Sequence, residues 1–151
     1  MIKKITIFIF TIFVTSCGYS PLLNLEKINF YIDDLNFSGD RQVNNYILKN
    51  LKKYQNSKKN KKSFKINIIS SYEKNVINKD NSGNPKNYNI NIKTVVKVIS
   101  SEGDEVNKSF ERNTSLSAQD KKIDEKDLEK KYKENLSNLL SEDIVFFLIN
   151  K

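Results

Sequence analysis

Residues 64–98 have the sequence FKINIISSYEKNVINKDNSGNPKNYNINIKTVVKV, and the predicted architecture is built around them. Apolar side chains recur at every second position on both sides of a turn-forming segment, Asn81–Pro85, which is the pattern of two half-buried strands joined as a hairpin. The inward face is expected to carry Phe64, Ile66, Ile68, Ser70, Tyr72, Ile90, Ile92, Thr94, Val96 and Val98. Each side is about 16 residues long, or roughly 50 Å when extended. Because Asn75–Asn87 is poor in aliphatic residues, we expect the hairpin tip to project beyond the core or to be mobile.

Two more strands flank this hairpin in the sequence. Lys27–Phe37 alternates apolar and polar residues and predicts a first strand. After a second turn at Ser101–Asp104, a last strand is predicted from Val106, Phe110, Thr114 and Leu116, which continue the alternation. The three strands after residue 63 therefore form an antiparallel meander.

Two amphipathic helices complete the pattern. Asp40 is a candidate N-cap for a helix over Arg41–Gln55, whose apolar stripe is Val43, Ile47, Leu51 and Tyr54. A second helix is capped within Asp120–Asp127 and runs to about Ile149, with an apolar stripe formed by Leu128, Tyr132, Leu136, Leu139, Leu140, Ile144 and Phe147. Its end, Ile144–Ile149, is apolar nearly all round and is expected to be buried or to meet a partner.

The order β-α-β-β-β-α predicts an α+β fold. We expect a two-layer sandwich in which both helices cover one face of a four-stranded, mostly antiparallel sheet. The other face is expected to be polar and rich in asparagine, with Asn29, Lys65, Asn67, Asn89, Asn91, Lys93, Lys97, Asn107, Ser109 and Asn113.

The N-terminus has the order of a bacterial lipoprotein signal. Met1–Lys4 is a short basic segment, and Ile5–Val14 is an apolar run of ten residues, too short to span a bilayer as a helix. Val14-Thr15-Ser16-Cys17 follows and resembles the lipobox, in which cleavage falls just before the cysteine and the thiol receives a diacylglycerol.

This order predicts three parts of the chain. Residues 1–16 are expected to be the signal peptide, residues 17–26 a lipidated N-terminal segment and residues 27–151 a single domain. Gly18 stands where inner-membrane retention usually needs aspartate, which favours the outer membrane. Several acyl chains on Cys17 would hold the protein firmly, since each buried methylene contributes about 0.8 kcal/mol.

The composition argues against several functional classes. The 151 residues include no histidine, no tryptophan and one cysteine, so the usual general base, the commonest metal ligand and an internal disulfide are missing. We expect that the protein is not an enzyme and that it has no cofactor and no metal site. The segment from Asn78 faintly resembles a calcium loop, but Asn89 stands where a bidentate glutamate is needed. The net charge is +8, yet only Arg41 and Arg112 among 26 basic residues are arginine, which does not favour a nucleic-acid partner.

The mature N-terminus suggests a family. Cys17-Gly18-Tyr19-Ser20-Pro21-Leu22 resembles the start of mature proteins of the LptE family, the lipopolysaccharide-assembly lipoproteins, and the predicted order of elements is also similar to that family's. The resemblance implies a non-enzymatic plug and assembly factor for LptD, the outer-membrane β-barrel that inserts lipopolysaccharide into the outer leaflet. It also implies a lipid-anchored protein of the outer membrane that faces the periplasm.

The residues are compatible with this implication. A barrel lumen is polar, as is the predicted open face, and a basic chain is not repelled by anionic lipopolysaccharide. If lipopolysaccharide is contacted, the candidate residues are Lys93 and Lys97 on the polar face and Lys79 and Lys86 near the hairpin tip. Reversing the charges of Lys93 and Lys97 together is expected to weaken binding to phosphorylated lipid A.

Two other functional classes stay open. One is a periplasmic lipoprotein that binds a lipid or assists a transporter, and the other is a passive structural lipoprotein of the envelope. The lysine-rich segment Ser57–Ser63 is either a solvated linker or a contact for lipid phosphates.

Overall fold

The computed structural model describes residues 28–55 and 62–151. The predicted signal peptide 1–16, the segment 17–26 with Cys17, and most of the lysine-rich segment lie outside the described residues. The strands are β1 (Phe30–Gly39), β2 (Lys62–Lys79), β3 (Pro85–Ser100) and β4 (Glu105–Ser117), and the helices are α1 (Arg41–Leu51), followed by a short 3-10 helix (Lys52–Tyr54), and α2 (Lys122–Ile149).

The four strands form one sheet in which the spatial order is the chain order. β1 is parallel to β2, whereas β2, β3 and β4 are antiparallel neighbours. Parallel neighbours need a crossover and antiparallel neighbours need only a turn, which is why α1 lies between β1 and β2. Both helices pack on the same face, so the predicted α+β sandwich with the order β-α-β-β-β-α is confirmed.

The core lies between this face and the two helices. Alternate side chains of β2 and β3 point into it as predicted, and the polar residues Ser70 and Thr94 are buried there beside Ile66 and Ile92. The α1 stripe is buried in full, at Val43, Ile47, Leu51 and Tyr54. Each large aliphatic side chain buried in this way contributes about 1.5–3 kcal/mol relative to leaving it in water.

β1 contains a β-bulge at Asp33. The register with β2 shifts between Ile32 and Asp34. Ile32 is buried, and the next residues packed against the core are Leu35 and Phe37. An extra residue on one strand turns the following side chains to the other face, so the bulge keeps both halves of β1 facing the core.

The junction between β1 and α1 is held close to β2. Asp40 is the N-cap, as predicted, since its Oδ1 accepts the backbone N–H groups of Gln42 (3.0 Å) and Val43 (2.9 Å). The Asp40 N–H donates to the Ser70 carbonyl oxygen at 3.0 Å. Gly39 has a φ of 92°, and a Cβ there would overlap that same carbonyl oxygen, so this approach requires glycine.

α2 is 28 residues long and ends at Ile149, as predicted. Its N-cap residue is Lys121, whose side chain makes no capping bond; Asp124 and Glu125 in the first turn place negative charge at the helix N-terminus instead. Within residues 28–55 and 62–151, neither helix has the length and apolar character needed to cross a bilayer.

The buried stripe of α2 differs from the predicted one. Leu139 was expected in the core but is 45% exposed, while Lys133, Ser137 and Ser141 are buried. The reason is that α2 packs against α1 as well as the sheet, and Asn50 of α1 lies 3.4 Å from the Ser141 hydroxyl. Small serines permit this approach, and their hydroxyls donate to the carbonyl four residues earlier. The other predicted positions pack in or against the core: Leu128, Tyr132, Leu136, Leu140, Ile144 and Phe147.

Candidate functional site: the open face of the sheet

The sheet face opposite the helices is the candidate site, and we call it the open face. The strand register places side chains in rows across it, with Asn67, Lys97 and Asn107 in one row. The open face extends along β2 from residue 62 to residue 74, where the exposed hairpin tip begins, so it is roughly 40 Å long and about 15 Å wide between the outer strands. The polar residues predicted for this face on β2, β3 and β4 all belong to it, because they share the alternation of Asn67, Lys97 and Asn107.

Two apolar side chains stand at the centre of the open face, where only polar residues were predicted. Ile69 is 57% exposed, Val95 is 37% exposed, and the two are Cα partners across β2 and β3; we call them the apolar pair. Each belongs to an aliphatic doublet whose other member, Ile68 or Val96, is buried. Because neighbours along a strand point to opposite faces, the doublets were the feature of the sequence that indicated an apolar centre.

The apolar pair lies between the two predicted lysines of β3. Lys97 Nζ is 2.7 Å from Glu105 Oε1, so its charge is partly compensated. Lys93 is exposed and faces Glu111 on β4, whose carboxylate accepts a hydrogen bond from Asn91 at 2.8 Å. Among the described residues, no carboxylate lies within 4.0 Å of the Lys93 ammonium group. Lys93 is therefore the more available cation for an anionic ligand.

The hairpin tip carries the other two predicted lysines, Lys79 and Lys86, both exposed. Asp80 orders the turn: its Oδ1 accepts the backbone N–H groups of Asn84 and Ser82 at 2.8 Å each, and these bonds lower the pKa of the Asp80 carboxyl. The segment is thus a turn, as predicted, and the described ranges contain no cluster of three metal-ligating side chains. Residues 75–84 are all exposed, so the tip projects beyond the core.

The four predicted lysines occupy two separate places. Lys86 and Lys93 are seven residues apart on β3, or roughly 24 Å. Lys93 and Lys97 are four residues apart, or roughly 14 Å. One phosphate group can therefore contact the tip or the open face but not both.

A largely buried cluster of charges, which sequence reasoning missed, fixes the outer half of the hairpin to α2. Lys74 Nζ lies 2.7 Å from Glu125 Oε1 and 2.8 Å from Glu129 Oε2. Tyr72 donates its hydroxyl to Glu129 Oε1 at 2.6 Å, and Lys133 Nζ lies 3.5 Å from the centre of the Tyr72 ring. We call these five residues the distal clamp. The sequence did contain one indication of this cluster. Lys74 is in phase with the inward side chains of β2, and a lysine at an inward position needs partners of opposite charge.

Three residues of the distal clamp have pKa values shifted toward the ionisation states in which they pair: Glu129, Lys74 and Tyr72. Burial opposes the charge of Glu129, but hydrogen bonds from Lys74 and Tyr72 outweigh it and lower the pKa of Glu129. Burial likewise opposes the charge of Lys74, and the two glutamates nevertheless raise its pKa. Burial and the bond to Glu129 raise the pKa of Tyr72 above its ordinary value. Each group is satisfied by the others, which suits a cluster that holds the sheet and helix together.

Solved structures with this fold include bacterial lipoproteins. The crystal structure of rare lipoprotein B from Shewanella oneidensis matches with a TM-score of 0.55 and 11% identity, over 78% of this chain and 97% of that one. The solution NMR structure of lipoprotein B from Nitrosomonas europaea matches with a TM-score of 0.57 and 11% identity, over 85% and 88% of the two chains. The crystal structure of a minor lipoprotein from Acinetobacter baumannii matches with a TM-score of 0.54 and 9% identity, over 78% of this chain and 91% of that one.

These similarities establish a shared fold, since the sequence identities are low. No protein-family model matches the sequence, and no curated protein matches it. The structure is therefore an α+β sandwich of the kind found in these lipoproteins, with one sheet face left open.

Proposed function

We propose that the protein is a non-enzymatic outer-membrane lipoprotein, anchored through Cys17 and facing the periplasm. In this proposal it plugs an LptD-type β-barrel, supports the assembly of that barrel and assists the insertion of lipopolysaccharide into the outer leaflet. The observation that carries the proposal is the open face, a long polar surface with an apolar centre, held in shape by the helices behind it. Large outer-membrane barrels have polar interiors and accommodate plugs.

The fold and the N-terminus support the same proposal. The chain shares its architecture with three lipoproteins, and its sequence carries a lipobox ending at Cys17. The segment that follows, Cys17-Gly18-Tyr19-Ser20-Pro21-Leu22, resembles the LptE family, whose proteins act as barrel plugs.

The apolar pair gives the proposed interface a centre. In protein interfaces a few central, desolvated side chains contribute most of the binding free energy, and a polar rim excludes water around them. Ile69 and Val95 have this position, with the rows containing Lys93 and Lys97 on either side. A barrel wall that covers the open face would bury the pair.

The primary test is recovery of the partner from the membrane. C-terminally tagged, lipidated protein is purified from mild-detergent extracts of outer membrane. We expect one large, heat-modifiable β-barrel in a one-to-one ratio. Recovery of the protein alone, or with inner-membrane transport components, would reject the plug and favour a periplasmic lipid-binding or transporter-accessory lipoprotein.

A matched pair of variants locates the interface. Ile69 at the centre of the open face and Ile77 near the hairpin tip both belong to β2 and are 57% and 56% exposed. Ile69→Glu should reduce the recovered barrel at least about tenfold, because burying a carboxylate without a partner costs several kcal/mol, while Ile77→Glu should behave as wild type. Equal recovery with both variants would show that the open face is not the contact.

A further inference from the structure

The last turns of α2 carry apolar side chains that residues 28–55 and 62–151 leave exposed. Phe146 is 67% exposed and Ile149 is 44% exposed, whereas Ile144 and Leu148 beside them are buried. The apolar run at the end of α2 therefore supplies both core contacts and an outward surface. An exposed phenylalanine and isoleucine at the end of one helix suit contact with another apolar phase.

This end of α2 lies where the N-terminal segment enters the domain. The Asn29 carbonyl accepts the Lys62 N–H at 3.0 Å, and Lys62 Nζ donates to the Lys151 carbonyl at 2.8 Å. Asn29, Lys62, Ile149 and Lys151 also line one cavity of about 170 Å³. We call this end of the domain, with Phe146, the anchor pole.

The predicted lipid anchor limits how far this pole can lie from a bilayer. Eleven peptide units separate Cys17 from Ile28, so the segment spans at most roughly 40 Å. α2 has 28 residues and is about 42 Å long. Its other end, next to the distal clamp, faces the hairpin tip. Because the segment joins the domain at the anchor pole, this pole always lies within roughly 40 Å of Cys17, whereas the far end of α2 can lie about 80 Å from it.

We propose that the anchor pole rests on the phospholipid surface into which Cys17 is anchored, with Phe146 and Ile149 inserted at the boundary between headgroups and acyl chains. This inference rests on the lipid anchor of the proposed function and not on the barrel. Lys151 lines a neighbouring groove together with Glu102 and Asp104, so the pole carries both signs of charge. Apolar contact, rather than net charge, selects the surface.

A single-tryptophan experiment tests the orientation, because the chain contains no tryptophan. Phe146→Trp places the probe at the anchor pole. Ile123→Trp is the matched control, because Ile123 is also 67% exposed on α2 but lies about 35 Å away along the helix. Lipidated protein, with its acyl chains verified by intact mass, is reconstituted into phosphatidylcholine–phosphatidylglycerol vesicles with or without brominated acyl chains. The emission of each variant is then compared between the two kinds of vesicle.

We expect brominated lipid to quench Phe146→Trp at least about twofold more than Ile123→Trp, since interfacial side chains insert about 5–10 Å into the boundary between headgroups and acyl chains. Ile149→Trp should behave like Phe146→Trp, which guards against a local effect of one substitution. Equal quenching at both ends of α2 in acylated protein would overturn this inference and leave the proposed function untouched. A mass without acyl chains would overturn the anchor, and the inference with it.

Discussion

Replacement of Gly39 by alanine tests the close approach of the β1–α1 junction to β2. A Cβ on Gly39, where φ is 92°, would overlap the Ser70 carbonyl oxygen and lie 2.9 Å from its carbonyl carbon. Gly103 has the same φ of 92°, and Gly83 has 85°, yet a Cβ at either position meets no atom within 4 Å. An alanine at any of the three positions has a strained backbone, but only an alanine at Gly39 also has the steric overlap. Comparing the three alanine variants therefore separates the two costs.

The expected losses follow from these contacts. At Gly83 or Gly103, the left-handed backbone costs an alanine about 1–2 kcal/mol, offset by about 0.4–1 kcal/mol because the unfolded chain loses entropy. At Gly39 the junction must also move from Ser70. This movement weakens the Asp40 N–H bond and the Asp40 cap, at about 1 kcal/mol each, and strains the packing around it. We expect Gly39→Ala to cost about 3–5 kcal/mol, a large part of the 5–15 kcal/mol typical of a domain.

The assay is urea unfolding followed by far-ultraviolet circular dichroism on the three alanine variants. Gly39→Ala should shift the midpoint strongly at an unchanged slope, because the native structure persists but is less stable. Gly83→Ala and Gly103→Ala should each lose at most about 1.5 kcal/mol. A loss for Gly39→Ala within about 1 kcal/mol of the loss for Gly103→Ala would refute the reasoning, since the overlap would then cost nothing.

Two other predictions concern the distal clamp and the open face. Glu129→Gln, which removes a charged partner of Lys74, should lower the free energy of unfolding by about 1–3 kcal/mol at neutral pH. Because the pKa of Glu129 lies below its ordinary value of 4.5 in the folded protein, its contribution is complete above that pH and is lost as the pH falls through the folded pKa. The difference between wild type and Glu129→Gln, measured by urea unfolding, should therefore shrink in acid, and a constant difference would contradict this. On the open face, Lys93→Gln should weaken lipopolysaccharide binding about threefold to fivefold and Lys97→Gln less, because Glu105 already compensates Lys97; equal losses would count against the assignment.

The regular spacing of apolar residues along the chain predicted most of the fold. The alternation over residues 64–72 and 90–98 predicted the central hairpin, because side chains on a strand alternate whatever covers them. Asp40 before an apolar helical stripe predicted the start of α1, since an N-cap is a local interaction. The Ile69 and Val95 positions were missed, although doublets marked them, because the open face was assigned from its polar residues alone.

The sequence alone determined the number, kind and order of the elements, since strand and helix periods, caps and turns are local properties of the chain. Only the tertiary structure decided which side of each element is covered. Leu139 is exposed because α1 packs against the neighbouring serines of α2, and Lys74 is paired because α2 brings Glu125 and Glu129 to it from 51 and 55 residues away. Burial depends on contacts between distant segments, and a local period does not encode which segments meet.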